Sequence, residues 1–136
     1  MKRSIGFVMV ALFASACGTF TRDIRMLPTD GGAPLHATMS GGVFSSSGPT
    51  EATLADGTIA RGTWTRLTSG ANLETFFVTT PRGVITASAL VPNGQPTGVA
   101  TLSGPGVVVL CVYTGTYQSG FAYCADNSGQ RYIGNW

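Results

Sequence analysis

The sequence predicts an all-β domain, a small antiparallel β-barrel or sandwich of about eight short strands, placed after an N-terminal signal peptide. Three observations carry this. Gly supplies 19 of the 136 residues and charged residues only 10 %, a composition of turns and short strands and not of amphipathic helices. From His36 onward no stretch carries apolar residues at helical spacing for three turns. Turn-forming pairs and triplets punctuate the chain at short intervals: Asp56-Gly57, Ser69-Gly70, Pro81-Arg82-Gly83, Pro92-Asn93-Gly94, Gly104-Pro105-Gly106 and Ser128-Gly129.

The first element is the segment MKRSIGFVMVALFASAC. Lys2 and Arg3 give a basic start, Ile5 to Ala14 an apolar run, and Ala14-Ser15-Ala16 a small-residue stretch ahead of Cys17. The run is too short for a stable transmembrane helix and has the build of a cleavable signal peptide. A cysteine directly after the small residues resembles the bacterial lipoprotein signal, or lipobox, with Ala14 where leucine is usual. The resemblance implies cleavage after residue 16 and lipid on Cys17. Gly18 follows where inner-membrane retention would use Asp, which implies sorting to the outer membrane, the protein facing the periplasm or the cell surface.

Without residues 1–16 about 120 residues remain, the size of one domain. Lys2 and Arg3 account for two of the eight basic residues, so the mature chain has six basic and six acidic side chains and is neutral. That balance gives no basic patch for nucleic acid. Residues 17–35, with Pro28, Gly31, Gly32 and Pro34, read as the lipidated cysteine and a tether spanning on the order of 20–25 Å, part of which (Ile24 to Leu27) has the character of an edge strand. Residues 36–136 form the β domain.

Within it the expected strands are His36–Phe44, Thr50–Leu54, Thr58–Leu67, Leu73–Thr80, Gly83–Val91, Thr97–Leu102, Val107–Gly115, Gly120–Asp126 and Gln130–Trp136. Gly83–Val91 alternates, Ile85, Ala87, Ala89 and Val91 on one face and Thr86 and Ser88 on the other. Val107 to Val112 is apolar throughout, the pattern of a strand covered on both faces. With Cys17 assigned to lipid, Cys111 and Cys124 are an even pair in an oxidising compartment, so a disulfide is expected. Folding the chain about Tyr117-Gln118 sets Cys111 opposite Cys124, Tyr113 opposite Ala122 and Gly115 opposite Gly120, a cross-strand position that tolerates the bond.

A spaced motif recurs. Gly48, Gly57, Gly62 and Trp64 repeat the spacing of Gly120, Gly129, Gly134 and Trp136, and a longer version runs from Gly98 to Tyr117. Each reads as strand, tight turn and return strand, with the glycine before the aromatic offering a bare backbone for the ring. The pattern resembles the MORN repeat, a β-hairpin unit, here in separated copies and not in tandem. The chain as a whole is similar to small Gly-rich proteobacterial lipoproteins with a paired-cysteine C-terminal ending, which implies an envelope location.

Candidate chemistry is sparse. His36 is the only histidine, which excludes a His-rich metal site and leaves a Ser-His-Asp triad dependent on His36 and the nearby Ser45-Ser46-Ser47 run. No G-x-S-x-G elbow or phosphate-binding glycine loop is present. Asp126-Asn127-Ser128-Gly129 reads as a hairpin turn and not as a calcium loop, since the loop's distal Glu ligand is missing. The reading is therefore a non-enzymatic protein without metal or cofactor, held to a membrane through Cys17, that binds an envelope protein or cell-wall partner or is structural. Tyr117 and Phe121, flanking a hairpin tip, are the candidate contacts. The alternative is an inhibitor of lysozyme-type cell-wall hydrolases: Ser128-Gly129-Gln130-Arg131-Tyr132 resembles the S-G-x-x-Y segment of membrane-bound lysozyme inhibitors, which implies contact through Ser128 and Tyr132. The basic residue that follows in that family is not found here.

Overall fold

The computed structural model describes residues 18–67, 72–91, 97–116 and 118–136. The expected turns at Ser69-Gly70 and Pro92-Asn93-Gly94 lie outside them. Ten strands follow in chain order: β1 (Thr19–Pro28), β2 (Leu35–Gly42), β3 (Ser47–Thr53), β4 (Ile59–Leu67), β5 (Asn72–Thr80), β6 (Gly83–Val91), β7 (Thr97–Gly104), β8 (Val107–Gly115), β9 (Gly120–Asp126) and β10 (Arg131–Asn135). Eight of them close into an antiparallel barrel in the order β1-β10-β9-β8-β7-β4-β3-β2, and β5 with β6 forms a separate hairpin inserted between β4 and β7. Apart from that insertion, neighbours in the barrel wall are neighbours in sequence, so the barrel is an up-and-down meander.

The turns form where the sequence places them. At Gly57 (φ 85°) and Gly129 (φ 90°) the backbone enters the left-handed region that glycine adopts without a Cβ penalty. The Asp56 carboxylate accepts a hydrogen bond from the Thr58 N–H at 2.9 Å, a contact that holds its pKa below the usual carboxylate range. The register of β8 and β9 is the expected one: Cys111↔Cys124, Tyr113↔Ala122 and Gly115↔Gly120. The Cys111–Cys124 disulfide bridges Cα atoms 4.0 Å apart, the close spacing of a non-hydrogen-bonded antiparallel pair.

The segment read from the sequence as a tether is a correction. Thr19–Pro28 is β1, the strand that closes the barrel: it pairs with β2 from Thr19↔Gly42 to Met26↔Leu35 and with β10 from Arg25↔Asn135 to Pro28↔Tyr132. Sequence reading stopped short because Pro28 and the glycines that follow resemble a linker. The alternation is nevertheless present, with Ile24, Met26 and Pro28 buried and Asp23, Arg25 and Leu27 exposed. Pro28 takes the last position of the strand, and Gly31 and Gly32 belong to the β1–β2 turn.

An eight-stranded barrel has an interior just wide enough for side chains to fill. Here four large inward residues, Met26, Met39, Trp64 and Tyr113, share it with Ala52, Ala60, Ala100 and Ala122. The largest side chains lie against glycines on adjacent strands. Gly48 is paired with Trp64 and Gly98 with Tyr113. A Cβ at Gly48 would stand 2.7 Å from Trp64 Nε1, one at Gly41 2.8 Å from Trp64 Cζ2, and one at Gly98 would overlap the Tyr113 phenol. The recurring motif thus encodes a cross-strand glycine under each ring. Gly62, expected to bare the backbone for Trp64, instead abuts the β7 backbone at Thr101.

The strand expected to be covered on both faces is β8. Val107, Val109 and Tyr113 point inward, while Leu110 and Val112 are buried on the outer side, where β5 and β6 pack and Ile85 is buried. The side chains of residues 72–78 and 86–91, including most of the Gly83–Val91 alternation, lie outside the described residues.

Two outcomes test this packing. Gly48→Ala is expected to destabilise the barrel by about 1–3 kcal/mol through overpacking against the Ser40 carbonyl and Trp64, read as a lower urea midpoint at unchanged m-value. Replacing both Cys111 and Cys124 by Ala is expected to cost about 3 kcal/mol for a loop of this size, with β-sheet circular dichroism retained, because strand register is also held by the inward–outward alternation.

Candidate functional site

The three candidate contact residues that lie among the described residues, Phe121, Ser128 and Tyr132, do not assemble. Two barrel ends must be distinguished. One, here the N-terminal end, gathers Gly18, the β2–β3 loop, the β8–β9 loop and Trp136; the other gathers the β1–β2, β3–β4, β7–β8 and β9–β10 turns. Phe121 belongs to the first end, Ser128 to the second, and Tyr117 lies outside the described residues.

At the second end the Asp126-Asn127-Ser128-Gly129 turn is built around one buried carboxylate. Asp126 Oδ1 accepts hydrogen bonds from Ser128 N (2.8 Å), Ser128 Oγ (2.5 Å) and Gln130 N (3.0 Å), and Oδ2 accepts one from Tyr132 Oη at 3.1 Å. Asn127 ties this turn to the β7–β8 turn: its Nδ2 donates to Gly106 O and its Oδ1 accepts from Val108 N. The side chains of Asp126, Asn127 and Ser128 are committed to holding the turn. Tyr132 is a correction to the sequence reading, which placed it in a partner contact. It faces the barrel core, 8 % exposed, with its hydroxyl bound to Asp126. Its position two residues before Gly134 and four before Trp136 puts it on the inward face that those residues share. Ser128 is likewise engaged within its own turn.

The N-terminal end is aromatic. Phe20, Trp64, Tyr113 and Trp136 form a chain of ring contacts with centroid separations of 5.8, 6.4 and 6.2 Å, within the range of favourable tilted and edge-to-face pairs. Both indole N–H groups are satisfied, Trp64 Nε1 donating to Ser40 O at 2.7 Å and Trp136 Nε1 to Thr116 O at 2.8 Å. Outside this plug Phe121 is 58 % exposed and Phe44, in the β2–β3 loop, is 97 % exposed. An open groove of about 450 Å³ runs beside Phe121, lined also by Thr116, Ser119, Asn135 and Trp136. Sequence reading missed Phe44 by placing it at the end of a strand; the available signal was a lone aromatic within the Gly/Ser run GGVFSSSG.

The geometry separates the groups a hydrolytic triad would need. His36 is the second residue of β2, near the second end, while Ser45, Ser46 and Ser47 follow its far end; eight strand residues span about 25 Å. Among the described residues no three of His, Cys, Asp and Glu come together to hold a metal ion. The interior holds a cavity of about 30 Å³ walled by apolar side chains such as Met26, Met39, Leu102 and Val109, room for a water or two and not for a ligand. A scan against protein-family models and searches of the curated proteins and of the solved structures find no match for this chain. The fold and its surfaces define a closed eight-stranded meander barrel with an inserted hairpin and an aromatic-plugged end.

Two buried phenols give the barrel a pH signature. Burial pushes Tyr113 up to about 12, with Arg66 opposing slightly, and burial followed by the Asp126 carboxylate pushes Tyr132 up to about 12. Between the unfolded value of 10.0 and 12 the folded state binds more protons than the unfolded state. Stability is therefore complete below pH 10 and is lost as pH rises through 12. Urea midpoints measured across this range are expected to fall from pH 10 upward, and less steeply in Tyr132→Phe; parallel curves for the two proteins would remove Tyr132 from the effect.

Proposed function

We propose that this protein is an outer-membrane-anchored periplasmic lipoprotein whose barrel is a non-enzymatic binding or structural module of the cell envelope. The observation that carries the reading is the run from Lys2 to Cys17, a basic start, an apolar stretch and small residues before a cysteine, directly followed by a folded domain that begins at Thr19. Acyl chains on Cys17 would hold the domain on a bilayer; two or more give stable anchoring.

The barrel wall supports an anchored and not a membrane-spanning role. A spanning barrel needs an apolar outward band. The exposed face of β1 instead carries Thr21, Asp23 and Arg25, and that of β3 and β4 carries Glu51 and Arg61, ion-paired at 2.7 Å. The non-enzymatic reading is supported by the destination of the polar groups: the buried carboxylate Asp126 is consumed by turn hydrogen bonds, and His36 is exposed and far from the serine run. The inhibitor alternative draws on Ser128 and Tyr132, which here brace their own turn.

Expression of the full chain in a Gram-negative host, with intact-mass analysis and membrane fractionation, tests the anchor. The wild type is expected to begin at Cys17, to carry acyl chains and to fractionate with the outer membrane, and Cys17→Ser to lose the acyl mass. A processed or unprocessed wild-type protein without acyl mass refutes the reading. Added to lysozyme-type hydrolases, the purified protein is expected to leave lysis rates unchanged, and inhibition would promote the alternative.

A further inference from the structure

We infer that the N-terminal end of the barrel is a membrane-docking surface, with Phe44 inserted among the lipids beside the acylated Cys17. The inference rests on the proposed lipidation of Cys17 and adds an orientation and a contact residue to it.

The length of chain between anchor and barrel sets the geometry. Only Gly18 separates Cys17 from Thr19, the first residue of β1, and two residues of extended chain reach about 7 Å at most. The polar interface of a bilayer is about 5–7 Å deep on each side. A lipid on Cys17 therefore brings this end of the barrel into contact with the headgroup layer.

The surface presented there suits that position. Gly18 O accepts a hydrogen bond from Val43 N at 2.8 Å, which fixes the β2–β3 loop beside the attachment point. The next residue, Phe44, is 97 % exposed, the most exposed large apolar side chain described. β1 residues Thr19–Ile24 extend past the last β10 pairing, Arg25↔Asn135, so Gly18 and the Phe44 loop form a protruding lip. Phe121, 58 % exposed, lies on the same end. Residues 18–21, 40–49 and, among those described, 114–121 contain no charged side chain; Arg22 lies farther along β1, and Arg66, near the end of β4 with its N–H donating to Ser46 O, is an exposed cation beside this rim. A lip without acidic side chains, tipped by a phenylalanine, enters the interface of a bilayer at little desolvation cost, and a single arginine beside it faces the headgroup layer. The opposite end also exposes apolar side chains, Leu27, Ile59, Val84 and Ile133, but there they are interspersed with the charged Asp30, Asp56, Arg82 and Arg131.

The test uses the acylated full-length product reconstituted into phosphatidylcholine vesicles whose acyl chains carry bromine, a short-range quencher of tryptophan fluorescence. Wild type, Phe44→Trp and Ile59→Trp are compared. Ile59 is an outward, 39 % exposed residue at the opposite end and serves as the control. The F44W protein is expected to lose markedly more emission than the wild type, whose Trp64 is buried and whose Trp136 is half-buried against Tyr113, while I59W loses no more than the wild type. Equal quenching of F44W and wild type, or equal gains in F44W and I59W, overturns the docking surface. Intact mass of the same samples separates the two ideas: an acylated, vesicle-bound F44W protein without added quenching refutes the inference alone, whereas a protein lacking acyl chains refutes it together with the lipoprotein reading.

Discussion

Closure of eight strands around a narrow interior is the constraint on which the rest of this molecule depends. The lumen accepts several of its largest side chains where the facing backbone is bare. Trp64 lies against Gly41 and Gly48, Tyr113 against Gly98, Trp136 against Gly120 and Met26 against Gly134. These large residues thus lie against glycine on another strand, and the abundance of glycine, easily read as a sign of flexibility, makes room for dense packing. Gathering three of those rings at one end, with Phe20, also explains why that end is plugged while the other is closed by tight turns.

The same closure decides which polar groups stay available for chemistry. The β9–β10 turn meets the β7–β8 turn, and Asp126 is buried where the two come together. A buried carboxylate is tolerated only when its oxygens are well served, and four donors from Ser128, Gln130 and Tyr132 serve it. What the local sequence offers as a chain of hydroxyl and acid groups is, in the folded molecule, a satisfied structural network. The most exposed large apolar side chain among the described residues, Phe44, lies at the other end.

β1 links closure to location. Because it pairs with both β2 and β10, no length of free chain remains between the barrel and residue 18. In a lipoprotein built this way the anchor does not hang the domain from the membrane on a leash but seats one end of the barrel on it. Under the proposed anchoring, orientation relative to the bilayer follows from strand order, which would turn the opposite end, with its charged turns and the tip of the inserted hairpin, away from the membrane.

The parts of the fold legible in the sequence are those set within one hairpin. Strand positions from β2 to β10, the turns at Gly57, Gly106 and Gly129, and the Cys111–Cys124 pairing follow from alternation and turn chemistry over a dozen residues or so, and the local backbone obeys those rules. The double cover of β8 is legible for the same reason, as an unbroken apolar run. Only the tertiary structure decided that the strands close as a meander and not as a sandwich, that Thr19–Pro28 is the closing strand, that Tyr132 turns into the core, and that Phe44 stands in the open. These depend on which face of a strand meets the lumen and on the partner found at the far end of the chain. The amino acids of the segment itself do not carry that information, because the burial of each side chain is set by strands distant from it in sequence.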